Sequence, residues 1–139
     1  MRTLRLISTV VLFLWLVAVS TIVFGEHNVS AATNNAYAYD ETQQVTVEGN
    51  IVELRDFKCP VTGTEGSHIT VKGSGDPIEV HLAPVKFLKE YEIVLHQGDS
   101  VKVVGSKIAF EGKPALLAKT VTVGSETFTF RDPKGKPIW

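Results

Sequence analysis

Three side chains near the middle of the chain carry chemistry that could converge. His68 and His81 flank Gly73-Ser74-Gly75-Asp76, which has the composition of a tight turn. If those four residues join two antiparallel strands, Lys72 faces Pro77, Thr70 faces Glu79 and His68 faces His81. The same register sets Val71 against Ile78 and Ile69 against Val80, so the apolar faces agree. Directly opposed residues have Cβ atoms about 5 Å apart, near enough for two imidazoles to share an ion. Cys59, the only cysteine, lies on the preceding loop and offers a third donor of the kind that tetrahedral sites use. This trio predicts a site for a divalent metal. Its spacing matches no established ligand motif, and the simpler expectation is a polar cross-strand pair that hydrogen-bonds locally.

Other chemistry is poorly provided for. Cys59 beside a histidine could form a nucleophilic dyad, but Pro60 follows it and no oxyanion-binding glycine turn adjoins it. Glu48, Glu53, Glu79 and Glu111 fall on different strands, as solvated faces would. His96 sits beside a turn and is expected in solvent. There is no phosphate-binding loop, dinucleotide fingerprint, calcium loop or haem-attachment Cys-x-x-Cys-His. The expectation is a non-enzymatic binding module.

The elements that must hold the trio read as strands. Val45, Val47, Ile51 and Leu54 belong to a long first run with Gly49 inside it, where a bulge is expected. Residues 55–66 then read as a loop around Pro60, Gly63 and Gly66. Ile69 and Val71 start a second strand, and Ile78, Val80 and Leu82 form a third. Pro84 to Tyr91 is the one helical stretch, with Phe87, Leu88 and Tyr91 as its apolar stripe. Val101, Val103 and Ile108 drive a fourth strand that Gly105 should break. Glu111-Gly112-Lys113 tips a hairpin into residues 115–123, and residues 127–130 follow a further turn. Trp139 is expected to pack back on the domain. The fold class expected is all-β: a small barrel of five to six strands with one short helix, like the five-stranded OB barrel. A small β-sandwich is the other architecture considered.

The first residues have a different composition. Arg2 and Arg5 precede an uncharged run from Leu6 to Phe24, and small residues follow around Val29 and Ala31. This predicts a signal peptide over residues 1–32, or an uncleaved membrane anchor, since nineteen such residues just suffice to span a bilayer. Both place the domain outside the cytoplasm, with membrane contact only through this segment. Residues 33–44 read as a polar spacer and residues 45–139 as the domain. The formal net charge is −1, and −2 once Arg2, Arg5 and Glu26 are set aside, leaving 12 cationic against 14 acidic residues. Lys72, Lys102, Lys107 and Lys119 line strands, but Phe57, Phe110, Phe128 and Phe130 suit a core as well as a stacking face. That balance argues against nucleic acid, although an oligonucleotide-binding OB domain remains the alternative.

Three stretches carry a family resemblance: residues 78–88, residues 98–107, and Leu116-Leu117-Ala118-Lys119 with the ending from Arg131 to Trp139. Together they resemble small exported bacterial OB-fold-like proteins with a nucleic-acid-binding-like fold and no assigned function. Ala83 stands where that group is expected to have glycine, and Lys86 where it is expected to have an aromatic residue. Nothing in the resemblance accounts for Cys59. The overall expectation is an accessory or assembly subunit that docks on another exported protein or complex, a redox complex among the candidates. Its partner-binding residues would be Phe57 and Lys58 on the loop and Lys134 and Trp139 in the tail.

Overall fold

A computed structural model describes residues 37–139; the expected signal or anchor segment lies outside the described residues, as does the start of the spacer. A single 3-10 turn, Glu41–Gln43, leads in, with the Asp40 carboxylate accepting from the Thr42 N–H. The remaining elements are β1 (Gln44–Lys58), β2 (Glu65–Lys72), β3 (Ile78–Pro84), α1 (Val85–Glu90), β4 (Ser100–Phe110), β5 (Lys113–Val123) and β6 (Glu126–Thr129).

β1 is long enough to serve two neighbours. Its first half runs antiparallel to β4, from Gln44↔Ser106 to Asn50↔Ser100, and its second half pairs with β2 as far as Lys58↔Glu65. β2 pairs with β3, β4 pairs with β5, and β3 meets β5 in parallel. The ring β1-β2-β3-β5-β4 is therefore closed, and β6 is a hairpin strand added to β5. With α1 between β3 and β4, this is the OB architecture, and closure removes the open edge that β3 would otherwise present.

The period-two pattern decides what fills the barrel. Ile51, Ile69, Val71, Val80, Leu82, Val101, Val103, Leu116 and Val121 are buried in one cluster, joined by Phe87 and Leu88 of α1. Each such side chain contributes about 1.5–3 kcal/mol on leaving water. His68 and His81 alternate with Ile69 and Val80, so they lie on the opposite face of the same wall.

Several local expectations need correction. β1 continues to Lys58, so Arg55, Asp56, Phe57 and Lys58 belong to a strand and the connection shrinks to residues 59–64. Extending the strand keeps their backbone groups paired with β2. The bulge falls between Ile51 and Glu53 rather than at Gly49. Gly105 does not break β4; the strand passes through it with a register shift. Both glycines allow close backbone approach instead: a Cβ at Gly49 would run into the Lys72 carbonyl, and one at Gly105 would lie 2.6 Å from the Leu117 oxygen. The tail folds back as expected. The Ile138 N–H donates to the Phe130 carbonyl at 3.2 Å, and Trp139 tilts against Phe87.

Gly49→Ala should therefore destabilise the barrel by about 1–3 kcal/mol, because backbone must move to admit one methyl group. Urea unfolding would show this as a lower midpoint at unchanged slope; an unchanged midpoint would contradict the account.

Candidate metal centre

The hairpin between β2 and β3 has the register expected from the sequence. His68 faces His81, with Ile69 opposite Val80, Thr70 opposite Glu79 and Val71 opposite Ile78. Cys59 joins them from the end of β1. Its N–H donates to the Thr64 carbonyl at 2.8 Å, and its own carbonyl accepts from Gly63 N–H at 2.9 Å, which fixes the short loop. Gly63 takes the left-handed conformation that this turn needs. One donor atom from each of Cys59, His68 and His81 lies within 4.8 Å of the other two. That is close to the spacing required by metal–ligand bonds of about 2.0–2.3 Å.

The trio is buried although it faces away from the barrel interior. Cys59 is 0% exposed and each histidine 1%. Phe57 stacks on His68 at 3.9 Å between ring centres and 12° between planes. Phe110 meets His81 edge-on at 4.4 Å, and Tyr37 packs on Phe110 at 5.6 Å. Gly66 makes the stacking possible. A Cβ there would lie 2.9 Å from Cys59 Cβ and 3.2 Å from the His68 ring.

Hydrogen bonding leaves the trio unsaturated. Neither ring nitrogen of His68 has a partner, so the expected local hydrogen bonding of the pair is absent there. The two imidazoles instead meet in a T-shaped contact at 4.5 Å. Cys59 Sγ lies 3.3 Å from His81 Nδ1. With the thiol as donor, Nδ1 is unprotonated and the ring proton sits on Nε2; with the other tautomer the ring donates to sulfur. Nε2 faces Glu79 Oε1 at 3.6 Å, too long for a hydrogen bond, and both atoms are buried without a partner. The other Glu79 oxygen accepts from Arg55 Nη2 at 3.1 Å. Glu79 is thus part of the site rather than the solvated strand residue expected from the sequence.

Sequence reasoning placed Cys59, His68 and His81 together but missed Glu79, Gly66 and Phe110. Glu79 could have been found two residues before His81, on the same face. Phe57 walls His68 and is half-buried in a strand, so it is not a free loop residue. Lys58 is exposed beside Glu65. Lys134 and Trp139 line one cleft with Tyr39, and Phe57 lines another. His96 is exposed as expected, its N–H donating to Asp99 Oδ2 at 2.8 Å. Arg131, at the start of the tail, is 4% exposed, its guanidinium 5.0 Å from the Trp139 ring and 5.8 Å from the Tyr39 ring.

Burial keeps both imidazoles neutral. It pushes His68 down to about 4, while nearby backbone of Arg55 and Gly66 opposes the shift without satisfying either nitrogen. His81 is pushed down to about 3, by burial first and then by the repulsion that a protonated ring would meet from His68, were it protonated too, and from Arg131. In the unfolded chain both would titrate near 6.5, so below that pH the unfolded state binds protons that the folded state refuses. Their contribution to stability is complete above about pH 6.5 and is lost as pH falls toward the folded values. Thermal melts of metal-free protein should thus fall more steeply from pH 7 to pH 4 than those of His68→Phe. Imidazole NMR shifts of His68 and His81 should stay constant between pH 7.5 and 5.5; movement of both would contradict their burial as neutral rings.

Solved structures similar to the barrel include the S. pombe Stn1-Ten1 complex, at TM-score 0.47 and 17% identity over 60% of this chain and 59% of that chain. Asparaginyl-tRNA synthetase from Pyrococcus horikoshii gives TM-score 0.44 and 14% identity over 62% of this chain and 20% of that one. The mitochondrial single-stranded DNA binding protein Rim1 from S. cerevisiae gives 0.44 and 11% over 58% and 92%. No curated protein matches the chain in sequence. A family profile does, over residues 43–128, a span that contains β1 through β5, most of β6, and all of Cys59, His68, Glu79 and His81. The chain belongs to the MamS/MamX magnetosome protein family.

Proposed function

We propose that this chain is a non-enzymatic accessory protein of the magnetosome whose barrel holds a transition-metal ion between Cys59, His68 and His81. The observation that carries this reading is His68, buried with two unpartnered nitrogens beside a thiol and a second imidazole. Burying such a group unsatisfied costs about 1–3 kcal/mol, and a coordinate bond would offset that cost. The donor set suits zinc, copper or another imidazole- and thiolate-binding metal. Glu79 behind His81 Nε2 has the position of the carboxylate that commonly orients a metal-bound histidine and fixes its tautomer. Aromatic cover on both imidazoles favours a closed site, as structural or electron-transferring centres have, over an open catalytic one.

The leader motivates export, and docking on another exported protein fits the small size and lack of catalytic chemistry. The oligonucleotide reading has less support. Lys102 Nζ lies 3.5 Å from Glu48, and Lys119 Nζ donates to the Pro133 carbonyl at 3.0 Å, so both cations have protein partners.

The test is a titration of the full chain, freed of metal by chelator, with Co(II) and Zn(II). One ion per chain should bind, with the visible bands of a thiolate–Co(II) centre. Cys59→Ser should abolish those bands. Gly66→Ala keeps every donor but displaces Cys59 and His68, and should weaken binding by about 10–100-fold, as loss of supporting contacts does at other sites. Binding that survives in the Cys59→Ser/His68→Ala/His81→Ala variant, or no binding to the folded parent, would overturn the reading. For the docking role, gentle affinity purification of the exported protein should recover a stoichiometric protein partner. Repeated recovery of the chain alone would count against it.

A further inference from the structure

We infer that the ion this centre is suited to hold is copper in its monovalent state, an inference that rests on the metal-binding reading above. Two features distinguish it from the divalent ion that the sequence suggests, and a third gives a cation its approach.

The first is the number of donors. Among the described residues, Cys59, His68 and His81 are the one group of this kind, and it offers three ligand atoms. Glu79 does not complete a fourth position. It stands at Nε2 of His81, on the opposite edge of the ring from Nδ1, which faces Cys59. Zinc takes four ligands and recruits water when the protein gives three. With Cys59 0% exposed and each histidine 1%, a fourth, water ligand would have to be held inside a buried pocket. A three-coordinate site with one soft thiolate suits monovalent copper.

The second is charge. With Cys59 as thiolate, the site carries one negative charge, because Glu79 is neutralised by Arg55 at 3.1 Å. A monovalent ion brings the sum to zero. A divalent ion leaves a positive charge among Phe57, Phe110 and Leu117, an apolar setting where uncompensated charge is costly.

The third is access. The cleft outside the trio is lined by Arg55, Asp56, Phe57, Glu79, Phe110 and Glu111. Its three carboxylates outnumber the one guanidinium of Arg55 and attract a cation, and the two aromatic rings that line it also pack on the imidazoles. Binding is a simple exchange. The Cys59 S–H bond breaks, its proton leaves to solvent, a copper–sulfur bond forms, and the lone pairs of two neutral imidazoles complete the site. No electron is transferred.

The experiment is anaerobic competition of the full chain against bathocuproine disulfonate for Cu(I), beside competition against a chromogenic chelator for Zn(II). The chain should hold one Cu(I), at least about 1000-fold more tightly than Zn(II), in line with a soft-donor preference. X-ray absorption should show three ligands, one of them sulfur. Glu79→Gln should weaken Cu(I) about 10–100-fold while leaving the fold intact by circular dichroism. Tighter retention of Zn(II), or a fourth ligand on bound copper, would overturn the copper inference and leave the metal-binding reading standing. Retention of neither ion by folded protein would overturn both.

Discussion

The short parallel contact between β3 and β5 is what the rest of the structure depends on. Three rungs, Glu79↔Ala115, Val80↔Leu116 and His81↔Leu117, close the barrel. Without them β3 would be an unpaired edge, and Val80 and Leu116 would lose the enclosure that makes them core. The same rungs set the two chemically important residues of β3. Val80 points into the barrel, so Glu79 and His81 must point out of it, toward the face that Cys59 and Phe110 cover. Closure and site geometry are thus one constraint acting on two sides of a wall.

That wall is unusual in being dry on both faces along β2 and β3. Gly66, Ser67, His68 and Ile69 are consecutive and all buried. An antiparallel strand exposed on one side would alternate. Here the extension of β1 to Lys58, the loop at residues 59–64 and the rings of Phe57 and Phe110 roof the outer face. The roof converts what would be a wet histidine pair into a low-dielectric pocket. There, neutral imidazoles, an unpaired carboxylate oxygen and a thiol must satisfy one another or a ligand.

Much of this was legible from local pattern. The Gly73-Ser74-Gly75-Asp76 turn pins the β2–β3 register, and the apolar faces of Ile69, Val71, Ile78 and Val80 permit only one alignment. Barrel closure followed from strand number and the position of the single helix. What the sequence could not convey was burial of the polar face. Phe57, Phe110 and Tyr37 are far apart in the chain, and only the closed barrel brings their rings over His68 and His81. Glu79 read as solvated for the same reason, since its alternation is that of an outward residue. Arg131 read as a tail residue because its cover, Tyr39 and Trp139, comes from both ends of the domain. The bulge at Val52 has no glycine to announce it, whereas Gly49 and Gly105 serve backbone crossings that leave no periodic trace.

The two-sided wall also has a meaning for how such a chain can diverge. The inner cluster of Ile51, Ile69, Val80, Leu82 and Leu116 holds the barrel together, and none of Cys59, His68, Glu79 or His81 belongs to it. Selection can therefore act on the outer pocket almost as if it were a separate molecule mounted on an inert frame. A descendant could fill that pocket with aliphatic side chains and keep its shape while giving up its chemistry, or recruit different donors there without relearning how to fold.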